Sequence, residues 1–182
     1  MDDFDTVLAA AQRGDGRAFE AIFRELGGPV AGYLRARGAE DPDDLANEVF
    51  VRVFRAIGTF RGSDARFRSW VFTIAHNAVL DERRRARRRP VGAEPPSDVG
   101  AVAAAPDASE QVLERLARER VERLLGRLAP DQRDVFLLRV VGDLSISETA
   151  AVLGKSYEAV KALQRRGAAT LRQLLESEGV PK

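Results

Sequence analysis

The apolar residues of this chain return at every third or fourth position, and no stretch sustains an apolar-polar alternation, so the sequence predicts helices and no strands. The pattern is clearest between 41 and 89. Asp41-Pro42-Asp43-Asp44 is a helix start: Asp41 caps, Pro42 suits the first helical position, and Asp43 and Asp44 meet the positive end of the helix dipole. Leu45, Val49, Val53 and Ile57 follow at a spacing of four, with Phe50 and Phe54 beside them, making one wide apolar face. Gly58 ends that helix, and Thr59 to Asp64 reads as a loop. A second helix from about Ala65 carries Phe67, Val71, Ile74, Ala75, Ala78 and Val79 on one side. It closes in the arginine run 83–89 and stops before Pro90. An acidic-fronted helix, a polar loop and an aromatic helix with a cationic tail suit a module that docks on a protein with one helix and meets nucleic acid with the next.

Helical punctuation continues on both sides. Phe4, Val7, Leu8 and Ala11 mark a first amphipathic segment that ends at Gly14-Asp15-Gly16. Ala18, Phe19, Ile22, Phe23 and Leu26 mark a second, continued by Val30, Tyr33 and Leu34 past Gly27-Gly28-Pro29; the pattern leaves open whether that interruption kinks one helix or separates two. Together with 41–89 these make a helical bundle. Between 90 and 108 four prolines sit among small and polar residues without a large aromatic, which is linker chemistry. Helical patterning resumes near Ser109 through Leu113, Leu116, Val121, Leu124, Leu125 and Leu128. It breaks at Ala129-Pro130 and returns from Asp131 to Val141 around Val135, Phe136 and Leu138. The fold class expected is all-α: two small helical domains, 1–89 and 109–182, joined by a flexible linker over 90–108.

Composition narrows the function. Without cysteine there are no disulfides and no thiolate metal sites, and with His76 as the sole histidine there is no imidazole cluster or catalytic dyad. No glycine loop of a nucleotide-binding kind is present, so neither a catalytic site, nor a metal, nor a cofactor is expected. His76 reads as a surface or groove residue without chemistry. No run of eighteen apolar residues exists and the N-terminus is acidic, so the chain is expected in the cytoplasm without membrane insertion. The net charge of +1 conceals segregation: six arginines lie within 83–89, and five cations against the single anion Glu158 lie within 155–172.

The sharpest motif is in the last third. Ser145-Ile146-Ser147-Glu148 fits a capping box, and the helix it opens carries Ile146, Thr149, Ala150 and Leu153. Gly154 supplies the turn, and Ser156 caps a further helix with Val160, Leu163, Ala168 and Leu171, giving a helix-turn-helix with small Ala150 at the crossing. The second helix of such a unit enters the major groove, and Lys161, Gln164, Arg165 and Arg166 lie along it as candidates for base edges and phosphates. The plainer reading is a solvated cationic face on an ordinary helical hairpin.

Two longer stretches carry a resemblance. Asp43-Asp44-Leu45-Ala46-Asn47-Glu48-Val49-Phe50, Phe60-Arg61-Gly62, Phe67 to Asn77 and Asp81-Glu82-Arg83-Arg84 resemble region two of a bacterial sigma factor, most closely of the extracytoplasmic-function (ECF) group, which keeps only regions two and four. Leu128 to Phe136, the helix-turn-helix and Val160-Lys161 resemble region four.

The resemblance implies a subunit that lends promoter specificity to core RNA polymerase and makes no bonds itself. It assigns Asp43, Asp44, Asn47, Glu48 and Arg52 to the polymerase contact, with Asn47 standing where the family usually has the longer glutamine. It assigns Phe60, Arg61 and Asn77 to bases of the melted non-template strand at the minus-ten box, and Arg84 and Arg85 to phosphate. Trp70 reads as core or groove wall. For the double-stranded minus-thirty-five box it assigns Ser156, Tyr157, Lys161, Gln164, Arg165 and Arg166. The family often has arginine and an aliphatic residue where this chain has Leu163 and Gln164. Either the helix turns slightly in its groove, or Gln164 faces DNA and Leu163 the core. An anti-sigma protein is the further partner implied. The competing class is a helix-turn-helix repressor or activator that acts without joining polymerase.

Overall fold

The computed structural model describes residues 3–88 and 120–177. The expected linker and the start of the helical pattern near Ser109 lie outside them. The described residues form helices and turns: α1 (Phe4–Gln12), α2 (Gly16–Ala36), α3 (Pro42–Ala56), a 3-10 turn (Ile57–Thr59), α4 (Asp64–Arg88), α5 (described over 120–126), α6 (Pro130–Val140), α7 (Ile146–Leu153) and α8 (Tyr157–Ser177).

Local chemistry sets most of the boundaries. The Asp15 carboxylate accepts from the amides of Arg17 and Ala18 and starts α2. Asp41 accepts from the Asp44 amide at 3.0 Å and starts α3, with Pro42 as its first residue. The question left at Gly27-Gly28-Pro29 is resolved as one continuous helix with Pro29 inside it. Leu26 and Gly27 before the proline and Val30, Tyr33 and Leu34 after it are buried on one side of the helix, so packing favours its continuation through Pro29. Ser145 and Glu148 complete the capping box of α7, and Gly154 ends it in the left-handed region at φ 61°. The Ser156 hydroxyl accepts from the Ala159 amide and opens α8.

The apolar faces of α1 to α4 close on one another. Ile22, Val30, Leu34, Val49, Val53, Phe67, Val71 and Phe72 are sealed from solvent, each such side chain contributing about 1.5–3 kcal/mol through burial. Aromatic pairs fix the crossings: Phe19 stacks on Phe54 at 4.5 Å, and Tyr33 meets Phe72 edge to face. The Arg68–Glu25 ion pair ties α4 to α2. The core does not stop at the N-terminal bundle, for Leu137, Leu138, Leu144 and Val152 from α6, the following turn and α7 join it. A smaller cluster of Val135, Ala150 and Val160 holds the helix-turn-helix together. Helices α6 and α7 therefore sit directly against α2 and α4.

Polar groups line this seam. Arg37, just after α2, pairs with Asp134 of α6, and both side chains are nearly sealed from solvent. Arg83 of α4 donates to the Arg37 carbonyl. His76 departs from the surface or groove placement expected of it: only 8% exposed, it shares a hydrogen bond with the Tyr33 hydroxyl. The apolar spacing of α4 carries position 76 toward α2 alongside Phe72 and Val79, and Tyr33 supplies the polar partner that burial requires.

Candidate nucleic-acid interface

Three polar surfaces lie outside this core. On α3 the apolar side faces inward while Asp43, Asp44, Asn47 and Glu48 are exposed, and Arg52 is half-buried beside them. Glu48 and Arg52 pair one turn apart, and Asp43 pairs with Arg35 of α2. Pairs this exposed contribute little to stability, so the strip is free to meet a partner. Val51 and Phe23 are exposed large apolar residues of α3 and the neighbouring α2. A charged strip bordered by exposed apolar groups suits protein contact.

The second surface is the loop between α3 and α4. The Gln12 side-chain amide donates to the carbonyls of Ile57 and Phe60, at 3.0 and 2.9 Å, and so pins the loop from the end of α1. Phe60 is half-buried, its ring 5.2 Å from Trp70 and 5.2 Å from Phe67. Trp70 is accordingly a wall of an aromatic cluster. Gly62 sits at φ 155°, where an added Cβ would approach the Phe60 ring at 3.1 Å, so glycine is needed to close the loop over the ring. The Arg61 guanidinium folds back on the carbonyls of Gly58 and Phe60. Asn77 is exposed further along α4, and Arg84 and Arg85 are exposed on its cationic tail, Arg84 pairing with Asp81.

The third surface is on α8. Glu158, Lys161, Gln164 and Arg165 line a cleft of about 560 Å³, floored by Ala162 and Ala168. Leu163 packs instead against the Val135–Ala150–Val160 cluster. Leu163 thus faces the core and Gln164 the cleft. Ser156, Tyr157 and Arg166 are exposed but lie outside the cleft lining; Ser156 is engaged as a cap. Glu158 was not among the expected contacts, although its place one turn before Lys161 puts it on the same face. Arginine, lysine and glutamine side by side can serve guanine and adenine edges, and a carboxylate can accept from cytosine N4.

The buried groups behind these surfaces are held in fixed charge states. Burial, followed by the charges of Arg37, Arg83 and Lys155, lowers the His76 pKa to about 4, so the ring is neutral near pH 7. Burial also pushes the Tyr33 hydroxyl well above its ordinary range. No group of three or more metal-ligating side chains occurs among the described residues.

Comparison with known proteins places these surfaces in context. Residues 22–89 match the family model for sigma-70 region 2, and residues 118–171 match that for sigma-70 region 4. The chain is 35% identical to the RNA polymerase sigma factor CnrH of Cupriavidus metallidurans, over 97% of each sequence. It is 36% identical to the ECF RNA polymerase sigma factor BldN of Streptomyces coelicolor, over 94% of this chain and 66% of BldN. The structure is similar to that of CnrH solved in complex with the cytosolic domain of CnrY, with a TM-score of 0.67 and 30% identity over 94% of this chain and 96% of that one.

Proposed function

This chain belongs to the ECF sigma factors of the sigma-70 family, and we propose that three surfaces carry its work in promoter-directed initiation. The exposed strip of Asp43, Asp44, Asn47, Glu48 and Arg52 on α3 docks on core RNA polymerase. Its acidic members steer association with a basic partner face, and the nearby Val51 and Phe23 supply apolar contact. The observation that carries the reading is the pair of region matches in order, each falling on one of the helical units that present these surfaces.

The loop surface takes the minus-ten box. Phe60 offers a ring face to an unstacked base of the non-template strand, Arg61 and Asn77 supply hydrogen bonds, and Arg84 and Arg85 hold phosphate. Arg61 must first leave the loop carbonyls, which binding of a strand would offset with charge-assisted bonds. The α8 cleft takes the minus-thirty-five box as duplex, with Gln164 toward base edges, Lys161 and Arg165 toward base edges and phosphates, and Ser156, Tyr157 and Arg166 at its margins. Residues 1–89 thus form the polymerase and minus-ten unit, 109–182 the minus-thirty-five unit, and 90–108 the connection between them.

The chain itself makes and breaks no covalent bond; nucleotide addition belongs to the polymerase. An anti-sigma protein is its regulatory partner, a reading supported by the likeness to CnrH solved with the cytosolic domain of CnrY. No described helix is long and apolar enough to cross a membrane, and the reading places the chain with the polymerase in the cytoplasm. The test is transcription in vitro on genomic fragments with purified core polymerase. Discrete start sites appear only when the chain is added; a repressor, which acts without joining polymerase, produces none.

A further inference from the structure

The loop between α3 and α4 is fastened to the end of α1 through its backbone. Gln12 is the last residue of α1 and is half-buried. Its amide NH2 donates to the Ile57 carbonyl at 3.0 Å and to the Phe60 carbonyl at 2.9 Å. With carbonyl oxygens on both sides, only a group with two N–H donors can serve the two at once. The amide has a rigid base: Leu8 and Ala11 of α1 are buried, Phe4 packs on Phe67, and Phe67 in turn meets the Phe60 ring. Helix α1 therefore holds Phe60 twice, by the ring through Phe67 and by the backbone through Gln12. The Phe60 carbonyl also accepts from the Arg61 guanidinium at 2.6 Å, so two donors share one oxygen.

We propose that Gln12 is a positioning residue for minus-ten recognition: it keeps the Phe60 carbonyl paired when Arg61 leaves the loop to take the strand. The inference rests on the assignment of Phe60 and Arg61 to the minus-ten box. Arg61 donates to the carbonyls of Gly58 and Phe60. Gly58 is exposed, and water can replace the guanidinium there. Phe60 is half-buried, and its carbonyl keeps Gln12 as a partner. Without that amide, the departure of Arg61 would strip the carbonyl of both donors, and a partly buried acceptor left unmet costs free energy. Arg61 would then stay folded on the loop, and strand binding would carry the cost of moving it. The turn itself does not depend on Gln12, since the Phe60 amide donates to the Ile57 carbonyl at 3.0 Å. Gln12 thus acts on the strand through Phe60, 48 positions along the chain, and through the freedom it gives Arg61.

The test uses holoenzyme reconstituted from core RNA polymerase and the full chain. Binding of a labelled pool of random single-stranded DNA dodecamers is measured above that of core alone, and the bound strands are sequenced. Gln12→Met keeps the length of the side chain without a donor, and Gln12→Glu keeps its shape with oxygen in place of the NH2. Both should fold and capture core polymerase like the parent, because the turn is retained. Strand affinity should fall roughly threefold to tenfold in each, and the base position relaxed by Arg61→Ala should be relaxed in both. When Gln12→Met is combined with Arg61→Ala, the loss should be smaller than the product of the two single losses. Parent affinity in a folded Gln12 variant, while Phe60→Ala weakens binding, overturns the positioning role. So does a fall that is equal for all bases and multiplies with that of Arg61→Ala, which a merely structural role would give. If Phe60→Ala and Arg61→Ala both leave strand binding unchanged, the minus-ten assignment is overturned, and the inference fails with it.

Discussion

The Tyr33 hydroxyl and the His76 Nδ1, on α2 and α4, share a hydrogen bond of 2.8 Å inside the protein. The pair stands beside the seam cations: Arg37 and Arg83 act on both groups, and Lys155 acts on His76. A neutral imidazole is the form this setting accepts, because protonation would add a fourth positive charge to a place with little water.

Stability should therefore fall in mild acid. The His76 pKa is about 4 in the folded chain against 6.5 for the free side chain, so the unfolded chain takes up the proton first. The contribution is present in full above pH 6.5 and is lost as pH falls toward 4. The displacement corresponds to about 3 kcal/mol, at about 1.4 kcal/mol per pH unit. Asp134, whose carboxyl burial pushes up against the pull of Arg37, works the other way at the acidic end and trims the loss. Urea unfolding at pH 7 and pH 4.5 should show a fall of roughly 2 kcal/mol or more, and His76→Gln should remove most of it. Equal pH dependence in both proteins would assign the loss to other groups.

Charge reversal on α3 should separate binding from folding. Asp44 and Glu48 are exposed, and the Asp41 cap uses the Asp44 amide and leaves its carboxylate free of that role. Asp44→Arg should cost about 0.5–1 kcal/mol of stability through the helix dipole. Its affinity for core polymerase should fall at least tenfold, with Glu48→Arg behaving alike. Pull-down with core polymerase, alongside thermal melting, measures both effects; unchanged capture would remove these two residues from the contact.

What could be read in advance, and what could not, divides by the range of the interaction. Helix ends are set within four residues, and so Asp41, the Ser145–Glu148 box, Gly154 and Ser156 were legible one by one. The inward side of α4 was legible too, because Phe67, Val71, Ala75 and Val79 repeat the helical period. His76 lies on that side, but a lone polar residue carries no mark of a partner such as Tyr33, 43 positions away. Arg37 is similar: its role depends on Asp134, and nothing local distinguishes it from its neighbours Arg35 and Arg24. Gln12 was invisible for the same reason, since its acceptors are backbone carbonyls of a distant loop. The register of α8 was half legible; only the packing of Leu163 on Val135, Ala150 and Val160 decided it.

The cleft on α8 makes opposite predictions for its cations and its anion. Lys161→Ala with Arg165→Ala should lower binding to upstream-box duplex and reduce the slope of log K against log salt by roughly 2, at about 0.9 per phosphate contact. Glu158→Ala should raise affinity for duplexes of any sequence while relaxing choice at one base pair, by about 1–3 kcal/mol of lost discrimination. Selection from a randomised duplex pool at two salt concentrations reads both. A uniform gain for Glu158→Ala, with no position relaxed, would make Glu158 a repulsive charge and no reader.

The placement of α8 depends on a glycine. At Gly167 an added Cβ would come within 2.7 Å of the Phe136 ring and 3.3 Å of the Gln132 side chain, both on α6, so the two helices pack there through the absence of a side chain. Gly167→Ala should push α8 away from α6 and cost about 1–3 kcal/mol through overpacking, despite the better helix propensity of alanine. Because Lys161, Gln164 and Arg165 ride on the same helix, upstream-box affinity should fall with stability although no contacting residue has changed. Gly126 is the matched control. A Cβ there meets nothing within 4 Å, so Gly126→Ala should leave both quantities unchanged or raise stability slightly. Thermal melting and duplex titration of the two variants test the claim, and a Gly167→Ala protein as stable as its parent would show that the Phe136 ring can swing aside.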